Sequence, residues 1–205
     1  MSNLIYTLYP LSCIFIPCIL YMSIQRFGFH QKASGIHILW VFIFLYYVYL
    51  VLETTGIGTI WEIGMYPGMT FKKEVNLIPF ADGITISLVL NIIMFMPLGF
   101  LLPLLWEEYK SLIRTAFTGL LFSLGIELCQ LCNRRVSDVD DLIMNTLGAV
   151  IGWGIWLCFS RLFKLRYGNR NKSFGNLDAA AYLLLSLAGQ FFLYNWRWML
   201  TITQP

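Results

Sequence analysis

Five polar side chains sit inside stretches that are otherwise apolar: Asn91, Glu127, Gln130, Asp141 and Asn145. An acid at the middle of a membrane helix costs about 2.5–3.5 kcal/mol on insertion scales unless it is paired or neutral, so such groups mark functional sites or interhelical locks. Beside them runs Arg134-Arg135-Val136-Ser137-Asp138-Val139-Asp140-Asp141, the densest charge cluster in the chain. Ser137 and Asp140 have the spacing of a capping box, and acids suit the first turn of a helix. Capping needs one or two of these residues, not three aspartates and two arginines. Arginine holds phosphate bidentately. Asp138 and Asp141, with Glu127, are oxygen donors of the kind a hard cation takes. These types and spacings nominate Asn91, Glu127, Gln130, Arg134, Arg135, Asp138, Asp140, Asp141 and Asn145 for ligand binding. If the cluster does chemistry, Glu127 is the general base, Asp138 and Asp141 are acids or metal ligands, and Arg135 clamps an oxyanion or phosphate. No metal site and no cofactor is assigned. His30 and His37 are the only histidines, too few for a histidine-built centre.

The elements that must position these residues follow from composition. The chain has 205 residues, 58% hydrophobic and 12% charged, with a mean hydropathy of +0.69. A soluble domain carries about twice that charge. Five cysteines make no disulfide scaffold, and the apolar content excludes a disordered chain. The net charge of +3 gives no basis for nucleic-acid binding. The expectation is an all-α polytopic transmembrane bundle, a single integral membrane domain over 1–205. Crossing about 30 Å of hydrocarbon takes roughly 20 apolar residues. Six stretches qualify: Leu4–Ile24, Ile36–Leu52, Ile84–Leu105, Leu112–Cys132, Leu142–Phe163 and Ala179–Tyr194, the second and last being short. No basic residue precedes the first, and Arg26 and Lys32 follow it, which suits an anchor rather than a cleaved signal. Nine basic residues fall on one side, including the run Arg161–Lys172, and five on the other. The richer side is cytoplasmic by the positive-inside rule. Both termini are then outside. Trp40, Trp106, Trp196 and Trp198 lie near span ends, as interfacial aromatics do.

Successive spans run in opposite directions. Counting about 1.5 Å per residue from each outer end puts Asn91, Glu127, Gln130, Asp141 and Asn145 in the outer third of the bilayer. Each lies on one face of its helix. Thr115, Gly119, Ser123, Glu127 and Gln130 recur at helical spacing in the fourth span. Asp141, Asn145, Gly148 and Gly152 do so in the fifth, and Asn91, Phe95 and Gly99 in the third. Gly148-x-x-x-Gly152 permits close helix contact. Spans three to five are expected to form the core, with polar tips converging on an outward-facing pocket. The loop of residues 53–83 is glycine-rich and too apolar for a solvated linker. It either lies on the outer surface or re-enters the membrane. Cys129-Gln130-Leu131-Cys132 has the spacing of a thiol–disulfide pair, although ordinary small apolar packing explains a lone motif in an apolar span better. His30 and His37 flank a basic loop and are expected at the interface. Pro97 is expected to kink the third span.

Four motifs in order and spacing resemble the VanZ-like family: Asn76-Leu77-Ile78-Pro79-Phe80, Asn91-Ile92-Ile93-Met94-Phe95-Met96-Pro97-Leu98-Gly99, Glu127-Leu128-Cys129-Gln130, and Asp138-Val139-Asp140-Asp141-Leu142-Ile143-Met144-Asn145-Thr146-Leu147-Gly148. The match covers residues 76–152 as the VanZ-like core. The resemblance implies a bacterial envelope protein of the cytoplasmic membrane. The family's namesake is associated with resistance to the glycopeptide teicoplanin, by a route distinct from rebuilding the peptidoglycan precursor. Its motif positions fall on Asn76, Pro79, Phe80, Asn91, Pro97, Gly99, Glu127, Gln130, Arg135, Asp138, Asp141, Asn145 and Gly148, which adds Asn76 to the ligand-binding set. No catalytic mechanism comes with it. Three functions are weighed, and a transporter is disfavoured because the six spans show no paired broken helices and no evident repeat. The first is a non-transporting protein whose pocket binds a membrane lipid headgroup, a lipid-linked cell-wall precursor or a glycopeptide antibiotic. The second is an intramembrane enzyme acting on a lipid-linked substrate. The third is a thiol oxidoreductase using Cys129 and Cys132. Whether the chain is an enzyme, and its oligomeric state, stay open at this stage.

Overall fold

Long runs of Leu, Ile, Phe and Val with few charges satisfy their backbone only as helices once water is excluded, and helices account for nearly all the regular structure. The computed structural model describes residues 2–30, 33–63, 75–76, 78–80, 83, 85–133, 137–163 and 178–198. The helices are α1 (Ser2–Ser23), α2 (Gly35–Thr55), α3 (Ile86–Leu105), α4 (Leu112–Gln130), α5 (Val139–Leu162) and α6 (Asp178–Ala188). Wider π turns extend α1 through Ile24–Gly28 and α6 through Gly189–Leu193. Ser34 starts α2 by accepting from the His37 amide at 3.1 Å, and Gly56 ends it in the left-handed region, φ 56°, where no Cβ is in the way.

Five of these helices, α1 to α5, are long and apolar enough to cross a membrane by length and composition. The expected sixth span is a shorter apolar helix, Asp178–Leu193. At 1.5 Å per residue it reaches about 24 Å, less than the hydrocarbon thickness. Large apolar side chains such as Leu20, Ile86, Ile113, Phe117 and Leu184 are exposed along the helices. So much exposed apolar surface suits a hydrocarbon solvent and would not suit water.

The core is built on α3 and α5. A Cβ added at Gly99 would strike the Ala149 carbonyl, one at Gly148 the Ile92 carbonyl, and one at Gly152 the Met96 carbonyl. Only glycine lets the two backbones approach so closely. Early residues of α3 meet early residues of α5, so the two run parallel, as a third and a fifth crossing should. α4 packs antiparallel against both, with Gly119 against the Ala149 methyl and Ser123 bonded to Asn145. Thr115, Ser123, Glu127 and Gln130 are all buried, so the polar and small face expected for the fourth span does turn inward.

α1 and α6 form an outer antiparallel pair tied by Tyr21, whose hydroxyl donates to Asp178 at 2.9 Å, and by the Cys18 thiol beside Ser186. α2 fills the space between this pair and α3 with Val41, Phe44, Leu45 and Val48. Pro97 lies inside α3, and the Tyr47 hydroxyl donates to the Met94 carbonyl at 2.8 Å in the turn that the proline loosens.

Two expectations at the other end of α3 are corrected. Trp106 and His37 are not interfacial: each is 1% exposed, with the imidazole standing edge-on to the indole at 5.9 Å. The turn of residues 107–110 between α3 and α4 carries Tyr109 back over Trp106 and closes that end from solvent.

Candidate functional site

The site is assembled where the first turn of α5 meets the start of α3 and the end of α4. Asp138, not Ser137, is the N-cap of α5: its carboxylate accepts from the Asp140 amide at 3.0 Å. The helix therefore begins at Val139, three residues earlier than the apolar run alone indicates, and Asp140 and Asp141 lie in its first turn. Carboxylates there face the positive end of the helix dipole.

Each carboxylate then reaches a different element. Asp141 accepts from the Asn91 side-chain amide of α3 at 2.6 Å. Asp140, buried, takes the Phe80 amide on both oxygens, at 2.8 and 3.0 Å. That bond holds Phe80 in the left-handed region, φ 55°, which a bulky residue seldom occupies without such support. Asp138 accepts from the Asn76 side chain at 3.3 Å, and its own backbone amide donates to Glu127 of α4 at 3.2 Å. Asn76 also accepts from the Ile78 amide, turning the chain toward Phe80.

Asn76 and Asp138 face each other across a short parallel ladder, Val75–Asn76 (β1) with Ser137–Asp138 (β2). Two-residue strands carry no periodicity, so nothing in the sequence announced it. Through this ladder the far end of the 53–83 loop returns to the bundle. The near end docks as well: Gly58 lies against the Cys129 carbonyl where no Cβ fits, and the Asn133 side chain donates to the Gly56 carbonyl at 2.9 Å.

Asn76, Asn91, Glu127, Asp138, Asp140 and Asp141 thus come together at one end of α3, α4 and α5. Asn145 lies one turn deeper and donates to Ser123 of α4 at 2.9 Å. Gln130 turns aside, donating to the Thr55 carbonyl at the end of α2 at 3.0 Å. The side-chain carbonyl oxygens of Asn145 and Gln130 are buried with no partner among the described residues. Arg134 and Arg135, expected as phosphate ligands, lie outside the described residues.

Asn76, Asn91, Asp138 and Asp141 are half-buried, so the cluster keeps a face open. That face is rich in carboxylate and amide oxygens, which suit hydroxyl and ammonium donors. No group of three or more His, Cys, Asp and Glu side chains able to hold a metal occurs among the described residues. Cys129 and Cys132 are both free thiols. Burial, and then the negative charge of Glu62, push the Cys132 thiol above its ordinary range. A nucleophilic thiol needs the opposite.

Comparison with known proteins adds to this geometry. A family model described as VanZ/LLP1 matches residues 15–162. Protein VanZ of Enterococcus faecium is 35% identical over 83 residues, which are 40% of this chain and 51% of that protein. The chain spans about half the length of the curated relative it matches. No solved structure matches it.

Proposed function

Since the chain belongs to the VanZ/LLP1 family, we propose that it is a multi-pass envelope protein whose polar cluster holds the headgroup of an amphiphile at the outer leaflet. The ligand class is a lipid headgroup, a lipid-linked cell-wall intermediate or a lipoglycopeptide. The protein sits in the bacterial cytoplasmic membrane. The excess of basic residues around Arg161–Lys172 keeps that side in the cytoplasm, which puts the cluster outside and, with the short α6 counted as a sixth crossing, both termini outside as well.

One observation carries the reading. Two helices, α3 and α5, and a returning loop bring half-buried Asn76, Asn91, Asp138 and Asp141 together, with Glu127 of α4 bonded to the Asp138 amide. One turn deeper the buried side-chain oxygen of Asn145, and beside the cluster that of Gln130, have no donor among the described residues. Buried acceptors of this kind are ordinarily satisfied, by water or by a guest. A headgroup bearing hydroxyls or an ammonium supplies such donors, while its tails lie along the exposed apolar faces of the helices. Arg134 and Arg135, next in the chain, are the residues for a phosphate. The helix ends fix the aspartates by capping and by the dipole, so their placement costs no reorganisation when a ligand arrives.

Association of the family's namesake with teicoplanin resistance supplies the phenotype for a test. Cells carrying Glu127→Gln or Asp138→Asn, expressed at wild-type level, are scored for teicoplanin susceptibility and for binding of labelled drug. Both variants are expected to fall toward cells that lack the protein. Unchanged susceptibility together with unchanged drug binding would sink the glycopeptide version. The orientation is checked separately: a cysteine placed at Arg135 in a cysteine-free chain reacts with an impermeant maleimide from outside the cell. Labelling only after lysis would put the cluster on the wrong side.

A further inference from the structure

A second set of buried polar groups lies at the far end of α3 and belongs to no part of the site above. Fifteen residues separate Asn91 from Trp106, about 22 Å along the helix axis. Trp106 is the centre of this end. Its ring contacts those of Phe44 at 5.2 Å, His37 at 5.9 Å, Tyr182 at 6.2 Å and Tyr109 at 6.4 Å. Four polar atoms of the cluster are buried with no partner among the described residues: both imidazole nitrogens of His37, Nε1 of Trp106 and the hydroxyl of Tyr182. They come from α2, from the turn after α3, and from α6. The parent side chains are 1%, 1% and 0% exposed.

Packing alone does not account for them. Phenylalanine would fill the place of His37 or Tyr182 without stripping a polar group of water. The rings already touch, yet their polar atoms do not bond to each other. Their hydrogen-bonding inventory narrows the guest. The indole offers one donor, the neutral imidazole one donor and one acceptor, and the phenol both. An apolar guest would leave every one unmet. A metal cation would not find three His, Cys, Asp or Glu ligands, since no such group occurs among the described residues. A molecule that both donates and accepts satisfies all of them, and water is the smallest such molecule.

We propose that the Trp106 end of the bundle encloses a hydrated site, in which internal water bridges His37, Trp106 and Tyr182. Three elements then share one polar network, and α6 is joined to the core by water as well as by apolar contact. The inference is independent of any ligand at the other end.

The test uses the full chain in lipid nanodiscs with ¹⁵N-labelled histidine. Two imidazoles give two sets of signals, and His30→Asn assigns them; Asn keeps the left-handed backbone that His30 adopts, φ 53°. Cross-peaks between the His37 ring protons and long-lived water are expected, weakened in Tyr182→Phe. Tyr182→Phe is also expected to melt below the wild type by about 2–4 °C, the shift that one lost hydrogen-bonded group gives a chain of this size. No cross-peak to water in the folded wild-type chain overturns the proposal, whatever the variants do. A Tyr182→Phe chain that melts at or above the wild-type temperature overturns it too, because only a dry site gains by losing an unpaired hydroxyl.

Discussion

α3 meets α5 through backbone, whereas α4 meets α6 through side chains. Along the first seam Gly99, Gly148 and Gly152 each stand against a carbonyl of the facing helix. Along the second a cavity of about 120 Å³ remains, lined by Thr118, Leu121, Phe122, Ala180, Leu183, Leu184 and Leu187. Backbone cannot rotate out of the way, so the first seam fixes register, while the leucines of the second can change rotamer. The polar cluster sits at the head of the rigid seam. Asn91, Phe95 and Gly99 follow one another down one face of α3, and Asp141, Asn145, Gly148 and Gly152 down one face of α5. The distance between Asn91 and Asp141 is thereby set by glycines two and three turns below. Rigid elements hold a binding site to tighter tolerance than loops do.

The largest expected effect tests that rigidity. In Gly152→Ala the new Cβ runs into the Met96 carbonyl and close to the α-carbon of Gly99. Overpacking against backbone costs about 3 kcal/mol, the upper end of its usual range. Gly154→Ala, two residues on, meets nothing within 4 Å. It is expected to be neutral or to gain up to about 1 kcal/mol from helix propensity. Thermal melting of the two purified chains in one detergent makes the comparison. Equal losses would mean that the seam is no tighter at Gly152 than at Gly154.

Next in size is the coupling between Asn91 and Asp141. Single alanine variants and the double variant form a thermodynamic cycle, and their 2.6 Å bond with a carboxylate acceptor is expected to give about 1–2 kcal/mol of coupling. The Ser123–Asn145 bond, between two neutral groups inside the membrane, is expected to give about 0.6 kcal/mol, the average measured for such pairs. The order of the two couplings is the check. If the deeper neutral pair couples more strongly, charge is not what holds the head of the seam together.

Much of this seam was legible before any coordinates. Polar groups in apolar runs are costly, so Asn91 and Asp141 stood out. Counting depth from the outer, N-terminal end of each span put them at one level, and the structure bonds them. The small-residue spacing likewise pointed to the face on which α3 and α5 meet. What sequence did not reveal depends on chain segments that have no period. The parallel ladder of Asn76 with Asp138 is two residues long. Asp138 took the cap that Ser137 was expected to take, because its carboxylate reaches the Asp140 amide. Gln130 shares a face with Glu127 but lies where the end of α2 passes, so the Thr55 carbonyl claims it. His37 and Trp106 were read as interfacial from their places near span ends. The short turn carries Tyr109 back over Trp106, whose ring in turn packs against His37, and that turn leaves no pattern in composition.

The smallest effect belongs to the loose seam. Ala180 lines the α4–α6 cavity, and Ala180→Val adds two methyl groups toward it. Cavity filling of this kind commonly yields about 0.5–2 kcal/mol, and the low end is expected here because the leucines around the gap already adjust. In detergent the variant should melt slightly higher than wild type. In lipid the gain should shrink, since an acyl chain can enter the apolar gap and make the contacts that valine would make. A clear loss in both media would show that Leu183 and Leu187 have no freedom to move. α4 and α6 would then be as rigidly joined as α3 and α5, and the contrast between the two seams would vanish.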